Sequence, residues 1–340
     1  MESRMTVIRI GFLFLLLMPG FVLKGQDVSF SQFYTNPLYL NPAFAGSVGV
    51  PRIAFQHRNQ WHSFGDAFST YSFAVDFPVK KLQGGVGLFL LNDTQAGSSY
   101  RSFEASAVYS VFVNLSENFR LHGAVQAGFK RNLLDINKLV FPDNLDSNFG
   151  NHGISGELDY FTGADFSLAD FSTGVLIYNQ RFFGGLAAHH LAEPRLSFSS
   201  DSKDESNKLF RKYTAHIGFR LPVYLYGHHR KKFDISPQMV WQYQGSLGQM
   251  NYGLFATKWG LTAGTWFRQN FGLRYDAVIL LAGFMKKNWQ LTYTYDMAVS
   301  GLSGNAGGTS EISFVFLFRE IDKGSFLPFY QSYDDDFGVQ

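Results

Sequence analysis

The chain has 340 residues, 17% of them aromatic and only 16% charged, with 37 Phe, 17 Tyr and 34 Gly. A net charge of +2 gives no electrostatic case for a nucleic-acid partner, and the absence of Cys removes disulfides as a source of stability. Soluble domains average about 25% charged residues; this composition, with mean hydropathy near zero, suits a membrane β-barrel whose polar interior offsets an apolar belt.

In chain order, residues 1–25 read as a secretory signal peptide. Arg4 and Arg9 supply the positive start, Ile10 to Leu17 the apolar run, and cleavage is expected near Gly25-Gln26. Leu23 departs from the small residue usual before such a cut. The run is shorter than the roughly 20 residues a helical span needs, which disfavours the alternative of an N-terminal anchor. Residues 26–50 form a lead-in broken by Asn36-Pro37 and Asn41-Pro42, residue types that interrupt strands and favour turns. It is nevertheless apolar, with Phe33, Tyr34, Leu38, Tyr39, Leu40 and Phe44.

Residues 51–320 carry about fourteen alternating segments, read as strands of an all-β, up-and-down antiparallel barrel. They fall near 51–58, 68–77, 84–91, 101–113, 119–131, 171–179, 182–189, 210–221, 232–244, 250–257, 259–268, 274–285, 288–296 and 310–319. In the fifth, Phe119, Leu121, Val125, Ala127 and Phe129 share one face, and Arg120, His122, Gln126 and Lys130 the other. Connections 59–67, 92–100, 132–170, 190–209 and 297–309 are long, and most of those between them are short. That alternation is expected of an outer-membrane barrel with short periplasmic turns and long outer loops. The exceptions are 245–249 and 269–273, short for the outer side, and 222–231, long for the inner. Residues 321–340 are expected to be a periplasmic tail.

Arg or Lys facing lipid at mid-depth costs roughly 2–4 kcal/mol, so the polar faces are expected to line the lumen and the Phe/Tyr faces to meet lipid. A soluble β-sandwich would reverse both. The segment 274–285 is apolar on both faces, which points to a packed lumen. No catalytic motif is present, so no enzyme and no cofactor is expected. Gly84-Gly85-Val86-Gly87 lacks the helix a nucleotide fingerprint requires. His189-His190 and His228-His229 cannot chelate as strand neighbours, because adjacent side chains point to opposite faces. The basic 228–232 and acidic 334–336 clusters read as solvated segments or as docking surface for a periplasmic partner.

The mature start, from Phe30-Ser31-Gln32-Phe33-Tyr34 through Asn36-Pro37-Leu38-Tyr39-Leu40-Asn41-Pro42-Ala43-Phe44-Ala45-Gly46, resembles the opening of the PorP/SprF family. Arg58-Asn59-Gln60-Trp61, Asp76-Phe77-Pro78, Gly85-Val86-Gly87, Asn92-Asp93, Gly184-Gly185-Leu186, His190-Leu191, Pro194, Arg211-Lys212-Tyr213, Ser236-Pro237, Tyr295-Asp296 and Glu311-Ile312 extend the likeness. The connection 132–170 departs from it, with 154–170 reading as extra.

The resemblance implies an integral outer-membrane protein of the type IX secretion system of Bacteroidetes, exported by its signal peptide. Some such proteins contact the periplasmic secretion machinery. Others hold the C-terminal domain of a secreted cell-surface adhesin, as in gliding motility. A passive or substrate-specific outer-membrane channel is the alternative function. Asn36, Pro37, Asn41, Pro42, Arg58, Trp61, Asp76 and Pro78 are the candidates for binding a partner or for seating the lead-in. That lead-in has two placements open to it, a plug within the barrel or a foot beneath it.

Overall fold

Period-two alternation builds the wall. The computed structural model describes residues 27–318, apart from 62, 64–67, 140–144, 147–149, 152–164, 197–207, 225–230, 273, 287 and 300–306. The wall strands are β1 (Arg52–Gln60), β2 (Phe68–Val79), β3 (Gly84–Gln95), β4 (Tyr100–Asn114) and β5 (Arg120–Leu134). They continue with β6 (Asp165–Tyr178), β7 (Phe182–His189), β8 (Lys212–Phe219), β9 (Lys231–Gln244) and β10 (Leu247–Lys258). The last are β11 (Leu261–Asn270), β12 (Tyr275–Lys286), β13 (Trp289–Ala298) and β14 (Thr309–Leu317). Each pairs antiparallel with its neighbours, and β1 pairs with β14, so 14 strands close into a barrel. Among the described residues no helix is long and apolar enough to cross a membrane.

The two faces are inverted relative to a soluble sandwich. On β5, Val125 is 60% exposed and Gln126 only 6%. On β13, Leu291, Tyr293 and Tyr295 face outward, while Gln290, Thr292, Thr294 and Asp296 are buried. An apolar exterior around a polar interior is stable where lipid is the outer solvent. This rules out the sandwich. On the outer wall Trp241, Tyr243 and Phe271 stack near the turn that follows Gln244, with centroids 5.6 to 6.5 Å apart. Amphipathic rings are favoured at a membrane–water boundary.

Strand ends differ from the sequence expectation where polar residues continue a ladder. Backbone pairing does not require an apolar side chain, so Asn92 to Gln95 pair with Tyr100 to Phe103, and the supposed long 92–100 loop shrinks to Ala96–Ser99. β6 likewise begins earlier than expected, at Asp165, paired with Leu133, rather than near 171. The 245–249 connection is a two-residue turn at Gly245, whose φ of +62° suits glycine. The expected inner loop 222–231 instead starts with a short strand, Leu221–Tyr224, that continues β8 along β9. The interruption between them lies opposite Pro237, which has no N–H to donate to the ladder. The basic cluster begins within 225–230, and the expected signal peptide, much of the 190–209 connection and the acidic cluster also lie outside the described residues.

Candidate functional site

A 14-strand barrel is wider than the small eight-strand barrels that side chains fill alone, so its lumen needs other occupants or holds water. Residues 27–50 occupy it. Both Asn-Pro pairs shape this segment. Proline is pre-set for the first position of a helical turn and needs no N–H there. Pro37 thus opens the single turn Pro37–Leu40, and Pro42 the 3₁₀ turn Pro42–Phe44. The Asn41 side chain caps the second turn by accepting from Ala43 N at 2.9 Å.

The segment runs the length of the lumen, from the rim of the long connections to the rim of the short ones. At the first rim Asp27 sits in a nest of cations: Lys212 Nζ at 2.9 Å, Lys130 Nζ at 3.4 Å and His190 Nε2 at 2.6 Å. His190 is held on its other side by Asp170, 2.9 Å from Nδ1. Further in, Glu311 accepts from two successive backbone groups, Ser31 N at 2.7 Å and Gln32 N at 2.9 Å, and pairs with Arg58. The Ser31 hydroxyl donates to Asp296 at 2.5 Å and accepts from Arg58 at 3.0 Å and Arg268 at 2.6 Å. Arg268 also reaches Asp296 at 3.0 Å. Two guanidinium groups and two carboxylates thus neutralise one another around one serine. Buried charges are tolerated only when paired and hydrogen-bonded in this way.

Below this cluster the contacts turn apolar. Phe33 meets Trp266 edge-on with centroids 4.9 Å apart, and Tyr34 lies against Phe255 and Trp266. Ile279 and Leu281, inward on β12, belong to the same cluster as Leu38, Leu40 and Phe44, which accounts for the apolar inner face of that strand. Burial of one such side chain stabilises by about 1.5–3 kcal/mol, enough in combination to seat a segment with little regular structure.

Asn36 Nδ2 donates to Ser72 on β2 at 2.7 Å. Asn41 Nδ2 donates to Val175 O at 3.0 Å and Leu186 O at 3.2 Å, and lies 3.0 Å from His216 Nε2. One side chain therefore reaches β6, β7 and β8. Towards the short-turn rim, Asp76 accepts from Gly46 N at 2.7 Å and pairs with Arg52 at 2.7 Å. Here the segment lies directly on the wall. A Cβ on Gly85 would stand 2.6 Å from Gly46 Cα, and one on Gly46 3.2 Å from Pro78 Cα, so only glycines permit the approach.

The lumen therefore brings together Asn36, Pro37, Asn41, Pro42, Arg58 and Asp76, with Pro78 at its edge. Trp61 is not among them. It follows β1 with φ +60°, packs edge-on against Phe68 at 4.9 Å, and donates its backbone N–H to Gly308 O at 3.1 Å. Glu311, Asp296, Arg268 and the Asp27 nest were not picked out as site residues by sequence reasoning. Their signal is a charged side chain on the inward face of a strand whose outward face is aromatic. His189 also faces inward, with Nε2 3.5 Å from Leu40 O.

Gly174 offers a direct check of this placement, because a Cβ there would come within 2.0 Å of Asn41 Oδ1 and 3.0 Å of its Cγ. Cysteines replacing Asn41 and Gly174 would have Cβ atoms in disulfide range, about 3.5–4.5 Å. With no native Cys to compete, the double variant is expected to oxidise nearly completely and to show a reductant-reversible shift in gel mobility. Two persistently free thiols would mean that the segment does not dock there.

The sequence profile of a family described as type IX secretion system membrane protein PorP/SprF matches residues 22–316. No curated protein matches the chain significantly. Similar solved structures include the outer membrane protein Omp33 of Acinetobacter baumannii, at 6% identity and TM-score 0.43, covering 79% of this chain and 98% of that one. The P. putida toluene transporter TodX has 8% identity and TM-score 0.46, covering 82% and 93%. The KdgM porin has 8% identity and TM-score 0.36, covering 79% and 99%.

Proposed function

Since the chain belongs to the PorP/SprF family of type IX secretion system membrane proteins, we propose that it is an outer-membrane barrel plugged by its own N-terminal segment and used to bind proteins. Secreted cargo, such as the C-terminal domain of a surface adhesin, docks at the rim of the long connections. Periplasmic secretion components dock at the rim of the short turns. Residues 1–25 are the signal peptide that exports the chain, residues 26–50 the plug, 51–320 the barrel and 321–340 a periplasmic tail.

The observation that carries this reading is the occupied lumen. A channel needs a continuous wet path, whereas a docking barrel does not. Here Phe33, Tyr34, Leu38, Leu40 and Phe44 are buried against the wall, and polar anchors lie above and below them. The residues singled out from the sequence act, in this reading, on the plug rather than on a partner: Asn36, Asn41, Arg58 and Asp76 seat it, Pro37 and Pro42 shape it, and Pro78 borders its exit.

Single-channel recording in a planar bilayer tests the proposal. The intact mature protein is expected to give no steady conductance, and a stable open level would favour the channel instead. Orientation is tested separately. An epitope tag at Gly97, in the open turn between β3 and β4, should be labelled on intact cells. A tag in the 114–118 turn should be labelled only after permeabilisation. Reversed labelling would exchange the two docking rims.

A further inference from the structure

The outer wall over β6 to β9 carries a feature that the plugged barrel does not use. Two adjoining apolar cavities of about 380 and 460 Å³ open outward there and share Val175, Leu186, Ala215 and Trp241. Strand register explains the hollow. Thr173, Ala188, Tyr213 and Tyr243 form one outward row, Val175, Leu186, Ala215 and Trp241 the next, and Ile177, Gly184, Ile217 and Met239 the third. Each row contains a small residue: Ala188, then Ala215, then Gly184. The three run in sequence along β7 and β8, so the groove follows the strands and crosses the apolar belt from the long-connection rim almost to the short-turn ends of β6 and β7. Its sides are large and exposed, with Leu186 at 65%.

Charge lies at one end of this groove. Arg211 precedes Tyr213 by two residues and so shares its outward side; it is exposed, and its Nε donates to Leu191 O at 3.1 Å. In the same connection Arg195, also exposed, forms an isolated antiparallel bridge with Lys208. Glu193 lies 3.0 Å from Lys208 Nζ and accepts from Arg211 N at 3.4 Å, which leaves positive charge in excess among the described residues of this connection. A greasy groove in the plane of the membrane, capped by guanidinium groups at one rim, is complementary to a molecule with an acyl chain and a phosphate.

We propose that this groove holds one acyl chain of a phosphorylated, multi-acyl lipid of the outer leaflet, with its phosphate on Arg211 and Arg195. Such a lipid would fix the depth of the long-connection rim, where cargo is proposed to dock, without touching the lumen.

The test uses the full mature chain extracted from outer membranes in mild detergent, with retained lipid identified by native mass spectrometry. A phosphorylated multi-acyl glycolipid is expected to remain bound. Filling the groove with Ala215→Trp or Gly184→Leu should lower its retention roughly tenfold, a loss of about 1.4 kcal/mol of binding. A Cβ at Gly184 meets nothing nearer than the Phe182 ring at 3.1 Å, so that variant is expected to fold. Unchanged heat-modifiable migration on gels verifies this for both. Arg211→Gln should weaken binding of the phosphorylated lipid added back to delipidated protein, and leave its dephosphorylated form unaffected. Equal retention by folded wild-type and groove-filled protein would overturn the proposal. So would retention of a zwitterionic phospholipid alone, or of detergent alone. Conductance and tag labelling are independent of these outcomes, so failure here leaves the plugged barrel standing.

Discussion

Deleting residues 28–46 from the mature protein is expected to turn a silent barrel into a conducting one. The wall does not depend on the deleted segment for its ladder, because every strand keeps both neighbours and β1 still meets β14. What remains is a lumen lined by Gln56, Ser72, Ser102, Gln126, Ser172, Gln238 and Thr292, all buried by the segment or by one another. Some of these side-chain atoms, including both amide atoms of Gln238 and the hydroxyls of Ser102 and Ser172, have no hydrogen-bond partner among the described residues and would take water readily. Arg58, Arg268, Asp296 and Glu311 already pair among themselves, so losing Ser31 leaves no net charge to block ions. Barrels of 16–18 strands hold an aqueous channel, and one of this size approaches that width, so conductance should rise by roughly tenfold or more. A deletion variant that folds, inserts and stays silent would show that something other than the N-terminal segment seals the barrel.

The second large effect is expected from Glu311→Ala. Glu311 is 0% exposed and accepts from Ser31 N, Gln32 N and Gln56 Nε2 while pairing with Arg58. Removing it strands the Arg58 charge. Asp296 lies 3.5 Å away but is already engaged by Arg268 at 3.0 Å. Breaking one side of a buried ion pair costs about 3–5 kcal/mol. Because strand pairing does not use this side chain, most of that cost should fall on docking of the segment. Amide exchange at Ser31 and Gln32 should quicken by about a hundredfold or more, at roughly 1.4 kcal/mol per factor of ten. The β13 and β14 amides should stay protected, and conductance should flicker. Adding Arg58→Met removes the orphaned charge and should recover part of the protection. Unaltered exchange in the single variant would mean that the apolar contacts of Phe33, Tyr34 and Leu38 suffice to seat the segment.

The wall was legible in the sequence because alternation is local: Gln126 and Val125 sit side by side in the chain and face opposite solvents in the structure. Its strand ends were less so. Asp165 to Asp170 read as loop because Phe166 and Leu168 fall on the opposite face from Phe171 and Val175, out of phase with the oily row, yet the stretch pairs residue by residue with Gly128 to Leu133. Arg58 and Trp61 belong to one sequence motif, but β1 ends at Gln60, and Trp61 leaves the strand at a φ of +60°. Arg58 goes inward, while Trp61 turns away at the rim. The partner of Arg58 could not be read locally, since the register of β1 on β14 places Glu311 directly opposite, and that register exists only after closure. Asp27 is a similar case, as its cations come from β5, β8 and the end of β7.

Closure and the segment are therefore one problem. The seam between the first and last strands carries Gln56 and Arg58 on one side and Glu311 and Ser313 on the other. All four side chains bond to Ser31 or Gln32. A slip of two residues at that seam would keep every oily face in lipid and pass unnoticed by the hydrophobic pattern. It would, however, carry Glu311 away from Arg58 and from two backbone amides at once. The N-terminal segment thus matches one register of the seam only, a complementarity that strand pairing does not need but that a slipped ladder would forfeit. Since the segment reaches from one rim to the other, a wall closed before it docks would have to admit it end-first, drawing the Asp27 charge past Trp266 and Phe255.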